Sequence, residues 1–294
     1  MTNNPDRKTE LKRLIIYLVL AFGIAWLPWI ILNSLYGYEE WFTGDMAFPF
    51  AWLTLISGGG PAIANVLTRL ITKEGFDDEL LRLKLRGNVK YYVIAVSVPI
   101  AAGLLRGVVL TLLYGDINGA AANPGLMGAS LIVQSLPMSL VMAFNTFGEE
   151  YGWRGYMNGK LGALTNKPVT IIVGGILWGV WHAPLTVKGH NFGTDYPGFP
   201  WLGIVMMCAF CIMTGIFLMW LTDKTGSIYP AAIAHSALNN GSNYSTLAVV
   251  RGIAEDTKQT LSMSIVMFSL MGIIFAVFAV FMIKDSRKIV NSEK

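Results

Sequence analysis

Two adjacent carboxylates, Glu149 and Glu150, close an apolar run over residues 126–147 that is long enough to cross a bilayer. An ionised side chain inside hydrocarbon costs ~2.5–3.5 kcal/mol on insertion scales, so the pair demands an explanation. Two later apolar stretches each carry a histidine: His182 in Trp178-Gly179-Val180-Trp181-His182, and His235 in His235-Ser236-Ala237-Leu238-Asn239. Carboxylate, imidazole and amide are the groups with which water is activated and a developing oxyanion is held. On a helix, Glu150 and Arg154 are i,i+4 neighbours able to pair on one face. Glu149 is rotated away from them by about 100°. The spacing therefore divides the labour between a carboxylate held structurally and one left for chemistry. The bland alternative is that both glutamates mark the cytoplasmic end of a span and are simply solvated.

The elements that must position these groups follow from composition. Of 294 residues, 54% are hydrophobic and 14% charged, where soluble domains carry roughly 25% charged residues, and mean hydropathy is +0.53. The expected fold class is all-α: a polytopic membrane protein of about eight transmembrane helices with a cytoplasm-facing intramembrane cavity. One membrane domain fills residues 1–294, with a motif-bearing core over 127–245. At about 20 apolar residues per crossing, the spans are expected at 14–35, 47–69, 90–114, 127–157, 168–187, 200–221, 227–244 and 261–283. The first span is longer than the ~7–15 residues of a signal core, and its Trp26, Trp29 and Tyr36 suit an interfacial belt, so it is expected to be uncleaved. The second holds a break, Gly58-Gly59-Gly60-Pro61, tolerated only where neighbouring helices or water satisfy the freed backbone groups. The seventh is rich in Ala, Ser and Asn, so it belongs inside the bundle or lines water.

Eighteen of the 22 lysines and arginines fall in segments that are inside if both termini are cytoplasmic, which sets the expected orientation in the plasma membrane. The net charge of +4 needs no nucleic acid; the expected partners are the lipid bilayer and a peptide or protein substrate, with oligomeric state left open. Counting 1.5 Å per residue from the cytoplasmic side puts Glu149, His182 and His235 at depths of roughly 12, 21 and 12 Å, close enough to share the inner half of the membrane. Asn239, i,i+4 from His235, shares its helix face.

Competing chemistries are weaker. Ser236 points to a different face from His235, and no Gly-x-Ser-x-Gly elbow or Ser/Lys dyad is present. Cys208 and Cys211 lack polar neighbours and read as small hydrophobes. His190 reads as a solvated loop residue. Arg106, midway through the third span, has two equal readings: a counter-charge or carboxylate fork for the site, or a structural pair.

Glu149-Glu150-x-x-x-Arg154, then His182, then His235-x-x-x-Asn239, in that order within eight spans, resembles the CAAX-protease and bacteriocin-processing (Abi) family of intramembrane endopeptidases, the type II CAAX prenyl endopeptidases and their bacterial relatives. One departure is that Trp178 stands where the family's second motif usually has Phe; a bulky packing aromatic survives the change. The resemblance implies that Glu149 is the general base that activates water, assisted by His182, and that His235 and Asn239 stabilise the oxyanion while Glu150 and Arg154 brace the helix. It leaves the cofactor open between none and Zn2+; a zinc site would draw on Glu149, His182 and His235, although His-Glu-x-x-His is absent. Bacteriocin processing, and a prenylated substrate, belong to the same implication. The rival classes are a catalytically silent scaffold or bacteriocin-immunity factor, and a proton- or ion-coupled transporter, against which no inverted repeat is evident.

Overall fold

The computed structural model describes residues 6–35, 56–76, 79–114, 146–249 and 272–284, with positions 137, 139–140, 143–144 and 270. Every regular element among them is helical. In chain order they are α1 (Arg7–Leu35), α2 (Gly60–Thr72), a 3₁₀ turn (Glu79–Leu81), α3 (Val89–Tyr114), α4 (146–164, containing a π turn at Trp153–Met157), α5 (Lys167–Trp181), α6 (Ala183–Thr186), α7 (Trp201–Thr225), α8 (Tyr229–Val249) and α9 (Gly272–Lys284). Two of them, α1 and α7, are long and apolar enough to cross a membrane; Val89–Leu105, α5 and α9 are shorter apolar helices. The parts of the expected spans at 47–55 and 261–269, and most of 127–145, lie outside the described residues. The chain groups into two compact units, Met1–Arg82 with Asn145–Gly215, and Leu83–Phe144 with Ile216–Lys294.

In the first unit, α1 begins seven residues before the expected span, because its charged first turns are satisfied locally. Asp6 accepts from the Thr9 amide at 2.6 Å, and Arg13 pairs with Glu10 at 2.7 Å. Its buried stripe of Leu14, Tyr17, Ala21, Ala25, Trp29 and Leu32 repeats at helical spacing and faces α2 and the end of α4. Ile15, Val19, Leu27 and Ile31, on the opposite side, are exposed, as a lipid-facing surface requires. Of the expected interfacial aromatics, Trp26 is half-buried, Trp29 is buried and Tyr36 lies outside the described residues. The Trp26 indole donates to the Trp181 carbonyl at 2.9 Å, the Trp181 indole donates to the Ala21 carbonyl at 3.2 Å, and Trp29 packs edge-on against Trp181 at 4.7 Å. The Trp26 and Trp181 indole N–H groups thus find backbone carbonyls as acceptors.

Helix α5 starts at Asn166, whose side chain accepts from the Val169 amide at 3.0 Å, with Pro168 just inside. It stops at His182. The expected segment 168–187 is therefore two helices, because Pro184 lacks an N–H and restricts the residue before it. Gly175 and Gly179 press α5 against the first half of α7: a Cβ at Gly175 would sit 2.5 Å from Ile212 Cα, and one at Gly179 would overlap Cys208 Cα. Such small-xxx-small faces let membrane helices approach backbone to backbone. Cys208 and Cys211 are accordingly packing thiols, both free.

In the second unit, α8 packs along α3. Phe217 and Trp220 of α7 meet Phe275 and Phe278 of α9, the Phe217 and Phe275 rings stacking at 5.2 Å. Trp220 also lies edge-on to Tyr91 of α3 at 5.5 Å.

Candidate functional site

The two glutamates lie on α4, whose position is set by glycine. Gly148 and Gly152, i,i+4 on one face, lie against Gly59 and Pro61: a Cβ at Gly152 would fall 2.5 Å from the Pro61 carbonyl carbon, and one at Gly148 3.0 Å from Gly59 Cα. Gly60 in turn faces Ala21 and Ala25 of α1, with a Cβ at 3.5 Å from each. The Gly58–Pro61 break is thus a thin layer between α1 and the carboxylate-bearing helix.

Immediately after Gly152 the helix widens into the π turn Trp153–Met157. Such single-turn bulges re-aim side chains and concentrate at functional sites. Across its start Arg154 Nη1 donates to Glu150 Oε1 at 3.0 Å, both side chains buried, so the ion pair expected from the spacing is present. The Arg154 guanidinium lies over the Trp178 ring, 4.1 Å from its centroid. The Trp178 indole N–H donates to Glu149 Oε2 at 2.8 Å, and the Trp178 carbonyl takes a 2.9 Å hydrogen bond from His182 Nδ1. A carbonyl can only accept, so Nδ1 carries a proton, which leaves Nε2 as the nitrogen turned away from the backbone. His182 is buried and wedged edge-on against Trp181 at 4.8 Å.

Four of the six sequence-derived residues therefore meet around one tryptophan: Glu149, Glu150, Arg154 and His182. His235 and Asn239 belong to the second unit, on α8, where His235 is buried and Asn239 exposed. Arg106 falls within α3, and its side chain lies outside the described residues.

Two participants escaped the sequence. His190 is not a solvated loop residue: it is partly buried, its ring parallel to that of His182 at 6.1 Å, and desolvation pushes its pKa down to about 4. Trp178 was legible only as an aromatic substitution in a motif. An ionic cluster at the opposite end of α4 was likewise hidden. There Glu74 accepts from Tyr156 at 2.8 Å and from Lys160, Lys160 also pairs with Glu10 at 3.1 Å, and Arg69 lies over the Tyr156 ring at 5.1 Å. This cluster ties the end of α4 to α1 and to the chain after α2.

A catalytic zinc takes three protein ligands and keeps one position open. In the first unit Glu149 and His182 are each held by Trp178, at its indole and its main-chain carbonyl, and one Glu149 oxygen accepts from the indole. Among the described residues no three His, Cys, Asp or Glu side chains group as a metal would require.

The family model described as Type II CAAX prenyl endopeptidase Rce1-like matches residues 90–241, more than half the chain and every candidate residue from Glu149 to Asn239. The chain is 26% identical over 235 residues to "CAAX prenyl protease 2" of Methanococcus maripaludis, covering 75% of this chain and 83% of that protein. With helices apolar enough to cross a bilayer and with ordered glutamate, histidine and histidine–asparagine motifs, this is a membrane protein of the Rce1-like family of type II CAAX prenyl endopeptidases.

Proposed function

We propose that the protein is an intramembrane endopeptidase that cleaves a membrane-associated peptide by water activated at Glu149. The observation that carries this reading is that Glu149 and His182 are both held by Trp178, the carboxylate by its indole N–H and the imidazole by its main-chain carbonyl. Glu149 takes a proton from water, the hydroxide attacks the scissile carbonyl, and Glu149 returns the proton to the leaving amine as the tetrahedral intermediate collapses. His182 orients the water through Nε2. His235 and Asn239 take the role that the family resemblance implies, hydrogen bonding to the oxyanion, a contribution of ~2.7–4 kcal/mol per donor in measured cases. Glu150 and Arg154 brace α4. Eight spans, cytoplasmic termini and a plasma-membrane location complete the proposal, resting on the distribution of lysine and arginine.

The family and the relative are described as acting on CAAX prenyl substrates, so a prenylated C-terminal peptide is the first substrate to offer. Purified protein in lipid vesicles should release the terminal tripeptide from a fluorogenic farnesylated peptide. It should do so equally with and without chelator, and Glu149→Gln should not. Loss of activity on chelation, restored by zinc, would replace the metal-free mechanism.

A further inference from the structure

We infer that Trp178 is the positioning residue for Glu149, and that its indole N–H, rather than its bulk, is what the site uses; the inference rests on the proposed role of Glu149. Three contacts converge on this residue, two on its side chain and one on its main-chain carbonyl. Its N–H reaches Glu149 Oε2 at 2.8 Å. The Arg154 guanidinium covers its face at 4.1 Å. Its own carbonyl holds His182 Nδ1 at 2.9 Å. The residue is buried, so none of these contacts is exchanged freely with water.

The contacts form a chain. Buried Glu150 fixes Arg154. Arg154 fixes the plane of the indole and, by lying over the ring's electron-rich face, draws density from it and strengthens the N–H as a donor. The indole then holds one oxygen of Glu149. Adjacent carboxylates that leave α4 in different directions are thereby coupled through a cation and an aromatic ring on two helices. A phenylalanine would retain the ring contact with Arg154 but could not donate. The same residue sets the His182 tautomer through its backbone, so base and imidazole share one reference point. A carboxylate held at one oxygen keeps a defined orientation, and productive geometry in catalysis is sensitive to displacements of about 1 Å.

Indole ¹⁵N–¹H spectroscopy and steady-state kinetics on the full-length protein test this together. The chain has nine tryptophans. One indole signal should lie downfield of the rest, vanish in Trp178→Phe, and move upfield in Glu149→Ala while the remaining indole signals stay in place. Trp178→Phe should lower kcat roughly 10-fold, the loss of one hydrogen bond to a charged group, with KM held within about twofold because substrate binding is untouched. A structural role alone would lower the melting temperature and leave the kcat of the folded fraction unchanged. An indole spectrum unmoved by Glu149→Ala, or a Trp178→Phe enzyme with wild-type kcat, would overturn the inference. Should Trp178→Phe not fold, the Glu149→Ala shift of a single indole signal still decides it. Failure of the wild-type chain to cleave any peptide would count against the proposed function, and the indole signal would still report whether Trp178 holds Glu149.

Discussion

The neighbourhood of Trp178 and the surroundings of Ser236 in α8 place polar groups inside an apolar helix bundle in different ways. Around Trp178 each polar side chain is tied to a particular atom: indole to carboxylate, imidazole to carbonyl, guanidinium to carboxylate. In α8 the polar residues are framed by Ala231, Ala232, Ala234 and Ala237, each at most 2% exposed, where the helix packs along α3. There the Ser236 hydroxyl is buried without a hydrogen-bond partner among the described residues. The Trp178 cluster is held by named donors and acceptors, whereas Ser236 is enclosed by the alanine-lined packing of α8 on α3. Losing a single polar atom should therefore be costly around Trp178 and tolerated at the Ser236 hydroxyl.

The largest expected effect is on the Glu150–Arg154 pair. Arg154→Ala leaves a fully buried carboxylate without its cation and should cost about 3–5 kcal/mol, read as a large fall in thermal stability in detergent. Next is Gly152→Ala, which puts a methyl group against the Pro61 backbone. It should cost about 1–3 kcal/mol by overpacking, whereas Gly159→Ala, with open space around it, should gain up to about 1 kcal/mol from helix propensity. Equal melting temperatures for the two variants would remove glycine contact as the determinant of where α4 sits.

A smaller effect is expected from the ionic cluster at the far end of α4. Burial works to raise the Glu74 carboxyl, but the hydrogen bonds from Lys160 and Tyr156, with Arg13 nearby, outweigh it and hold the pKa below its ordinary 4.5. A carboxyl depressed in the folded state stabilises fully above its unfolded value and loses that contribution as pH falls through the folded one. The melting temperature of the wild type should therefore decline below pH 4.5 more steeply than that of Glu74→Gln. Smallest of all is Ser236→Ala. Its hydroxyl is buried without a hydrogen-bond partner among the described residues, so removing it should be neutral or slightly stabilising and leave activity intact. Loss of cleavage in this variant would revive serine chemistry and reverse the contrast between the two regions.

Much of this arrangement was legible in the sequence, and the illegible part has a common cause. Apolar runs located the helices, and i,i+4 spacing announced the Glu150–Arg154 pair, because both signals are local. The start of α1 was placed late because Arg7 and Lys8 are polar, although Asp6 and Glu10 satisfy the first turns. The break at His182 was foreshadowed by Pro184, which a hydropathy count ignores. Nothing local to Trp26 announces its acceptor, the Trp181 carbonyl, which lies 155 positions away. The same holds for Gly148 and Gly152 against Gly59 and Pro61, and for Trp178 against Glu149. Helical periodicity gives the face a residue presents, but not which helix lies opposite. The π turn left no mark in periodicity at all.

The most direct test of the account is the rate of peptide release by Glu149→Gln relative to wild type, in vesicles containing a prenylated peptide and with folding verified for both proteins. The account predicts a fall of about 10²–10⁴-fold, the contribution of a positioned general base, with substrate binding preserved. A Glu149→Gln protein that folds, binds and cleaves at the wild-type rate would contradict it.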